Sequence, residues 1–206
     1  EVFVNADSDT ELLVSWPAVN GMNVKQYEVY FDGLTTPKVF ADNHVAWPGL
    51  RPGSEYAFKV AYVLEDGRRS ELSPFGVNKT WGRDYNADGL PDDWQRQHFG
   101  NDAAAWPSAG MDSDGDGASN EQEFAAGTDP SDAADALSVR LAKLEKGTRL
   151  EWNARPGALY QLQHTAALGS GDWANVGEPV LALEGRAGIT LDSVEHMNFY
   201  RIRKIR

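Results

Sequence analysis

From Glu1 to about Thr80, apolar and polar positions alternate with a period of two in short segments cut by turn dipeptides. Alternation of this kind places every second side chain on one face of a sheet, so it predicts strands with one buried face. The predicted strands are Glu1–Val4, Glu11–Trp16, Val24–Phe31, His44–Trp47, Glu55–Val63 and Ser73–Thr80. Asn20-Gly21, Asp32-Gly33, Pro52-Gly53 and Asp66-Gly67 mark turns between them, because these residues tolerate the backbone angles that tight turns demand. A seven-stranded or near-seven-stranded β-sandwich is expected. Residues 82–136 break the pattern: they are rich in Asp, Gly and Ala, with only two short helical segments, Asp92–Phe99 and Asn120–Ala126. Alternation returns at Leu137–Leu141, Thr148–Trp152, Leu159–His164, Val180–Leu183, Gly188–Leu191 and Phe199–Ile205.

The fold class predicted is therefore mainly β: two β-sandwich domains, residues 1–81 and 137–206, flanking a short segment, 82–136, with loops and short helices. The pair Leu150-Glu151-Trp152 and Tyr160-Gln161-Leu162 echoes Val14-Ser15-Trp16 and Tyr27-Glu28-Val29, a Trp-ended strand followed by a Tyr-led one. The middle segment holds too few large apolar residues for its own core, and bound metal is expected to supply its order.

Charge sharpens that expectation. The chain of 206 residues carries a net charge of −12, but residues 83–136 hold 13 of its 31 acidic residues and only two of its 19 basic ones. Nearly all the excess lies in a quarter of the sequence, which repels a phosphate backbone or an anionic lipid surface and attracts cations. No nucleic-acid partner is expected. There is no run of apolar residues long enough to span a bilayer and no cysteine, so membrane insertion by a helix, disulfides and thiolate metal sites are all excluded. The N-terminus opens directly on a strand pattern without the regions of a signal peptide, and further sequence upstream is expected.

The stretch from Trp16 through Tyr27-Glu28-Val29-Tyr30 to Leu50-Arg51-Pro52-Gly53-Ser54-Glu55-Tyr56 resembles a fibronectin type III domain. The resemblance implies a core role for Trp16 and, for Tyr56, a hydroxyl bond back to upstream backbone at a strand corner. No Arg-Gly-Asp sequence occurs.

Candidate chemistry is concentrated in the middle segment. Asp112-Ser113-Asp114-Gly115-Asp116-Gly117-Ala118-Ser119-Asn120-Glu121-Gln122-Glu123 satisfies every position of the Asp-x-Asp-x-Asp-Gly-x5-Glu loop. Calcium takes six to eight hard oxygens at about 2.3–2.6 Å, and alternate residues of a tightly turning loop direct their oxygens at one centre. The expected ligands are Asp112, Asp114, Asp116, the carbonyl of Ala118, Asn120 directly or through water, and Glu123 from the first turn of a helix. Upstream, Asp84–Gln95 follows the same template with Asp84, Asn86, Asp88, the Leu90 carbonyl, Asp92 and Gln95. Gln95 supplies one neutral oxygen where Glu would supply two charged ones, so this second ion is expected to bind more weakly.

The two loops, 28 residues apart and trailed by Ala126-Gly127-Thr128-Asp129-Pro130, resemble the thrombospondin type 3-like and EF-hand-like calcium repeats of bacterial secreted proteins. That resemblance, together with the Phe199-Tyr200-Arg201-Ile202 strand near the end, implies a calcium-binding, calcium-stabilised and non-catalytic structural or adhesive module of a secreted or surface protein. No helix pattern enters either loop, which makes the ions a structural clasp and not a switch. Asp129 and Asp132 are candidates for capping the turn around Pro130 ahead of ligating an ion. His44, His98, His164 and His196 lie in unrelated contexts, and no nucleophile motif, phosphate loop or His-Glu-x-x-His helix occurs, which leaves catalysis without candidates. Two rival readings stand beside this one. Trp47, Trp81, Trp106 and Trp173 would form a sugar platform if exposed together, giving a carbohydrate-binding accessory region with polysaccharide as partner; a secretion or attachment role of the last domain is the other.

Overall fold

A computed structural model describes residues 1–169, 171–192 and 199–205. Its internal contacts divide the chain into two compact units, Glu1–Ala87 with Pro91–Gln97, and Asp88–Leu90 with His98–Arg206.

The first unit contains seven strands: β1 (Phe3–Ala6), β2 (Leu12–Ser15), β3 (Val24–Phe31), β4 (Lys38–Phe40), β5 (His44–Trp47), β6 (Glu55–Leu64) and β7 (Gly76–Lys79). They form two antiparallel sheets, ordered β1-β2-β5 and β4-β3-β6-β7. Inward-facing Val4, Leu12, Val14, Tyr27, Val29, Trp47, Phe58 and Val60 fill the space between them together with Trp16 and Leu50. Trp16 is buried and meets Tyr27 edge to face, with ring centroids 5.2 Å apart. The Tyr56 hydroxyl accepts a hydrogen bond from the Arg51 backbone N–H at 2.9 Å. Both roles implied for these residues are realised. Strand β4 escapes the sequence reading because its three residues are largely exposed and its own Lys38, next to Pro37, interrupts the alternation.

Helix α1 (Asp92–Phe99) begins where Pro91 fixes a helical angle and two aspartates occupy the first turn, both favourable at a helix N-terminus. Trp94 and Gln95 are buried on it. Helix α2 (Asn120–Ala126) has a complete capping box: the Ser119 hydroxyl accepts from the Gln122 N–H, while the Gln122 side chain accepts from the Ser119 N–H. Gly127 closes it with φ of 79°, a left-handed angle that glycine adopts without strain.

The second unit carries β8 (Val139–Lys143), β9 (Thr148–Asn153), β10 (Leu159–Thr165), β11 (Ala174–Leu181), β12 (Arg186–Leu191) and β13 (Phe199–Lys204). Two three-stranded antiparallel sheets result, ordered β12-β9-β8 and β11-β10-β13. Trp152, Ala158, Tyr160 and Ala182 are the buried centre, with Val180, Ala187, Ile189 and Ile202 packed against them. Strand β11 runs well upstream of the expected Val180–Leu183, because Gly177 and Pro179 hide the alternation before it. His196 lies outside the described residues.

The echo read between the two β regions has a different basis in the structure. Arg51-Pro52-Gly53-Ser54-Glu55-Tyr56 recurs as Arg155-Pro156-Gly157-Ala158-Leu159-Tyr160. The Tyr160 hydroxyl accepts from the Arg155 N–H at 2.9 Å, the same bond over the same spacing, and Gly53 and Gly157 both have positive φ. Tyr160 thus corresponds to Tyr56 and not to Tyr27.

Candidate metal centre

The Asp112–Glu123 loop lies wholly within the second unit, and its fold is dictated by its own carboxylates. Asp112 Oδ1 accepts from the Gly115 N–H at 2.7 Å and Oδ2 from the Gly117 N–H at 3.0 Å. Asp114 Oδ1 accepts from the Asp116 N–H at 3.1 Å, and Asp116 Oδ1 from the Ala118 N–H at 2.6 Å. Each aspartate thereby stabilises the turn that follows it, and Gly115 and Gly117, at φ of 85° and 98°, supply the left-handed angles needed for the chain to coil back. The loop is braced on both sides of α2's first residue: the Asn120 N–H donates to the Met111 carbonyl and Asn120 Nδ2 to the Ser108 carbonyl.

This coiling brings carboxylate oxygens of Asp112, Asp114 and Asp116 within 4.8 Å of one another. Glu123, on the first turn of α2, is fully buried, and its Oε1 accepts from the Thr128 hydroxyl at 3.2 Å. Asp114 Oδ2, Asp116 Oδ2, Glu123 Oε2 and Asn120 Oδ1 are buried and have no hydrogen-bond partner among the described residues. An orphaned buried acceptor carries its full desolvation cost, and four within one loop are the donor set that a hard cation would satisfy. Electrostatics agree. Burial, followed by repulsion from Asp114, pushes the Glu123 carboxyl from 4.5 up to about 7, against the opposing Thr128 bond and with weaker repulsion from Asp116 and Asp112. The residues present therefore fit a calcium ion.

The first loop is distributed differently. Asp84, Asn86, Asp92 and Gln95 belong to the first unit, Asp88 and Leu90 to the second. Asp92 Oδ1 accepts from the Tyr85 N–H, and Asp88 Oδ1 from the Leu90 N–H. The Asp88 bond is of the kind made by the aspartates of the other loop, whereas the Asp92 bond reaches back seven residues to the start of the loop. Gln95 and Leu90 are fully buried, and Ala87, at φ of 56°, takes a left-handed angle without being glycine. The carboxylate cluster that would hold a metal comprises, among the described residues, Asp112, Asp114 and Asp116.

Asp129 and Asp132 serve the turns around Pro130. Asp129 Oδ1 accepts from the Ser131 N–H and hydroxyl, and Asp132 Oδ1 from the Ala134 N–H. His98 Nδ1 lies 3.0 Å from Asp129 Oδ1. Burial raises the Asp129 pKa, but the Ser131 and His98 interactions outweigh it and leave the carboxyl below its ordinary value. Ser131 Oγ bonds to the aspartate and not to the imidazole, so the trio lacks the nucleophile–base contact of hydrolytic enzymes.

The four tryptophans proposed as a sugar platform are dispersed. Trp47 is buried among Phe31, Phe40 and Phe58. Trp81, Trp106 and Trp173 are half-buried on separate segments, with Trp106 Nε1 donating to the Gly100 carbonyl.

Known proteins place these features. Residues 112–133 match the family model for the bacterial TSP3 repeat, a repeat of the calcium-binding type. Among solved structures, the chain is similar to the fn3 domain of human collagen alpha-1(XX) chain, at 24% identity over 41% of this chain and 84% of that one, with a TM-score of 0.35. It is similar also to the sixth fibronectin type III domain of human fibronectin type III domain containing protein 3, at 21% identity, 40% and 83% coverage and a TM-score of 0.35. A third similarity is to the Yersinia enterocolitica family 28 exopolygalacturonase, at 16% identity over 45% of this chain and 22% of that one, again with a TM-score of 0.35. No curated protein matches the chain significantly. The match at residues 112–133 bears out recognition of a TSP3-type repeat, and the strand orders of the first unit's two sheets bear out that of a fibronectin type III-like domain. Among the described residues no helix is long and apolar enough to cross a membrane.

Proposed function

We propose that the protein binds Ca²⁺ through Asp112, Asp114, Asp116, the Ala118 carbonyl, Asn120 and Glu123, and that the ion is a structural component of its second unit. The convergence of three carboxylates beside a fully buried Glu123, with orphaned oxygens on Asp114, Asp116, Asn120 and Glu123, carries this reading. The cation neutralises charges that otherwise repel one another and satisfies acceptors that the fold leaves bare. A second ion at Asp84–Gln95, held more weakly, rests on that loop's sequence template alone. The chain is then a calcium-stabilised, non-catalytic structural or adhesive module of a secreted or surface bacterial protein.

Calorimetric titration of the full chain with calcium tests the assignment, with the melting temperature measured in excess Ca²⁺ and in EDTA. Asp112→Ala should abolish the tighter binding event and Asp84→Ala the weaker. A chain whose melting temperature and protease resistance are the same in EDTA and in calcium would overturn the proposal, and equal affinities at the two loops would overturn their ranking.

A further inference from the structure

The second unit carries a preorganised cation that the calcium reading does not use. Register aligns Asn175 of β11, Gln163 of β10 and Arg201 of β13 side by side. They lie on the face of this sheet opposite to that carrying Tyr160, Leu162 and Ile202. Gln163 Nε2 donates to Asn175 Oδ1 at 2.9 Å, and Arg201 Nε donates to Gln163 Oε1 at 2.9 Å. The Arg201 guanidinium also stacks 4.2 Å from the centre of the Trp173 ring. A hydrogen bond at Nε and a stacked indole together fix the guanidinium plane, a degree of order that an exposed arginine does not have on its own. Gln163 is itself bonded to Asn175.

What this arrangement leaves unused is the binding end. Among the described residues Arg201 forms no ion pair with any carboxylate and no hydrogen bond through either Nη. An oriented arginine without a counter-ion among the described residues is a site for an anion. Two Nη groups in one fixed plane suit a carboxylate, which accepts two parallel hydrogen bonds. Arg203, two residues along on the same face and opposite Gln161, adds a second positive charge about 6.8 Å away, likewise without an ion pair among the described residues. Phe199, two residues the other way, is 44% exposed. Along β13 the face therefore reads ring, cation, cation, with the amide of Asn175 beside it.

We infer that this sheet face binds an acidic polysaccharide, Arg201 gripping the carboxylate of a uronic acid residue. The exposed ring of Phe199 suits the C–H face of a sugar, and the Asn175 amide nitrogen suits its hydroxyls. Arg203 takes the next acidic group along the chain. The calcium loop plays no part in this contact.

The test uses the full chain in calcium, titrated with hyaluronate, with hyaluronate whose carboxyls have been reduced to alcohols, with dextran and with poly-glutamate. Hyaluronate is expected to bind, with affinity falling as salt rises, and the reduced polymer and dextran are not. Arg201→Gln and Arg201→Lys should each weaken binding at least tenfold, since lysine restores the charge but not the paired donors, and Trp173→Ala should weaken it by loosening the guanidinium. Circular dichroism of these surface variants checks that the fold is retained. Binding that is unaffected by Arg201→Gln, equal binding of the carboxyl-reduced polymer, preferential binding of poly-glutamate, or no binding of hyaluronate would each overturn the inference.

Discussion

Glu123 offers the sharpest test of the site's electrostatics, because in the calcium-free protein it is a buried carboxyl facing three aspartates. Its folded pKa is about 7 against an ordinary 4.5. A carboxyl raised on folding keeps its proton in the native state while the unfolded chain releases it. Native molecules then bind more protons between pH 4.5 and 7, and stability falls as pH rises through that window. At about 1.36 kcal/mol per pH unit, the rise from 4.5 to about 7 amounts to about 3 kcal/mol, an upper value because solvent reaches exposed Asp112 and screens part of the repulsion. Glu123→Gln keeps the shape and removes the charge. In urea unfolding of calcium-free protein, wild type should lose stability from pH 5 to pH 7 relative to the variant, and at pH 7 the variant should be the more stable of the two. Adding calcium should reverse the order: occupancy at 1,000 times Kd stabilises wild type by about 4.1 kcal/mol, more than that deficit, while the variant, with one neutral oxygen in place of two charged ones, gains far less. Taking the difference between the two proteins cancels the histidines and the carboxylates elsewhere. A variant no more stable than wild type at pH 7 without calcium, or parallel pH profiles, would refute the reasoning.

The structure makes three other predictions. Tyr160→Phe and Tyr56→Phe each strip the acceptor from an arginine N–H and should cost about 1 kcal/mol; the cost should be greater for Tyr160, which is 1% exposed, as read from urea midpoints of the two variants. Gly127→Ala forces a side chain into a left-handed angle, with its Cβ 3.1 Å from Arg155 Cδ, and should lower stability by about 1 kcal/mol or more, detectable as a drop in melting temperature in saturating calcium. Ser119→Ala removes the hydroxyl that caps α2 and should destabilise by about 1 kcal/mol; because that helix carries Glu123, calorimetry should also show weaker calcium binding.

Where local chemistry dominates, the sequence was legible. Both helices run over the residues predicted, since Pro91 with Asp92 and Asp93, and Ser119 with Gln122, are start signals that act within one turn. Strands β3 and β5 also match to the residue, their alternation being uninterrupted. The short exposed strand β4 and the beginning of β11 were not legible, because they lack a buried face of their own and are held by pairing with the strand before them. At the site, the spacing of Asp112, Asp114 and Asp116 forecast their convergence, but the complete burial of Glu123 depends on packing that no local pattern displays. The repeated Arg-Pro-Gly-x-x-Tyr was a missed signal that lay in plain view; matching Trp to Trp drew attention to the wrong tyrosine. Arg201 was missed for a different reason. Its partners Gln163, Asn175 and Trp173 lie 26 to 38 residues away in sequence and meet it only through sheet register.

Gly127 carries a further consequence. The residue that ends the helix carrying Glu123 would touch Arg155 if it had a side chain, and Arg155 opens the corner closed by Tyr160; at its other end the loop is braced on the Ser108 and Met111 carbonyls. The twelve residues that fit the calcium template are therefore not the portable piece of this protein. Anyone transplanting the loop into a new scaffold would need residues 108–160 as a block, and recombination points that preserve function should fall outside those limits.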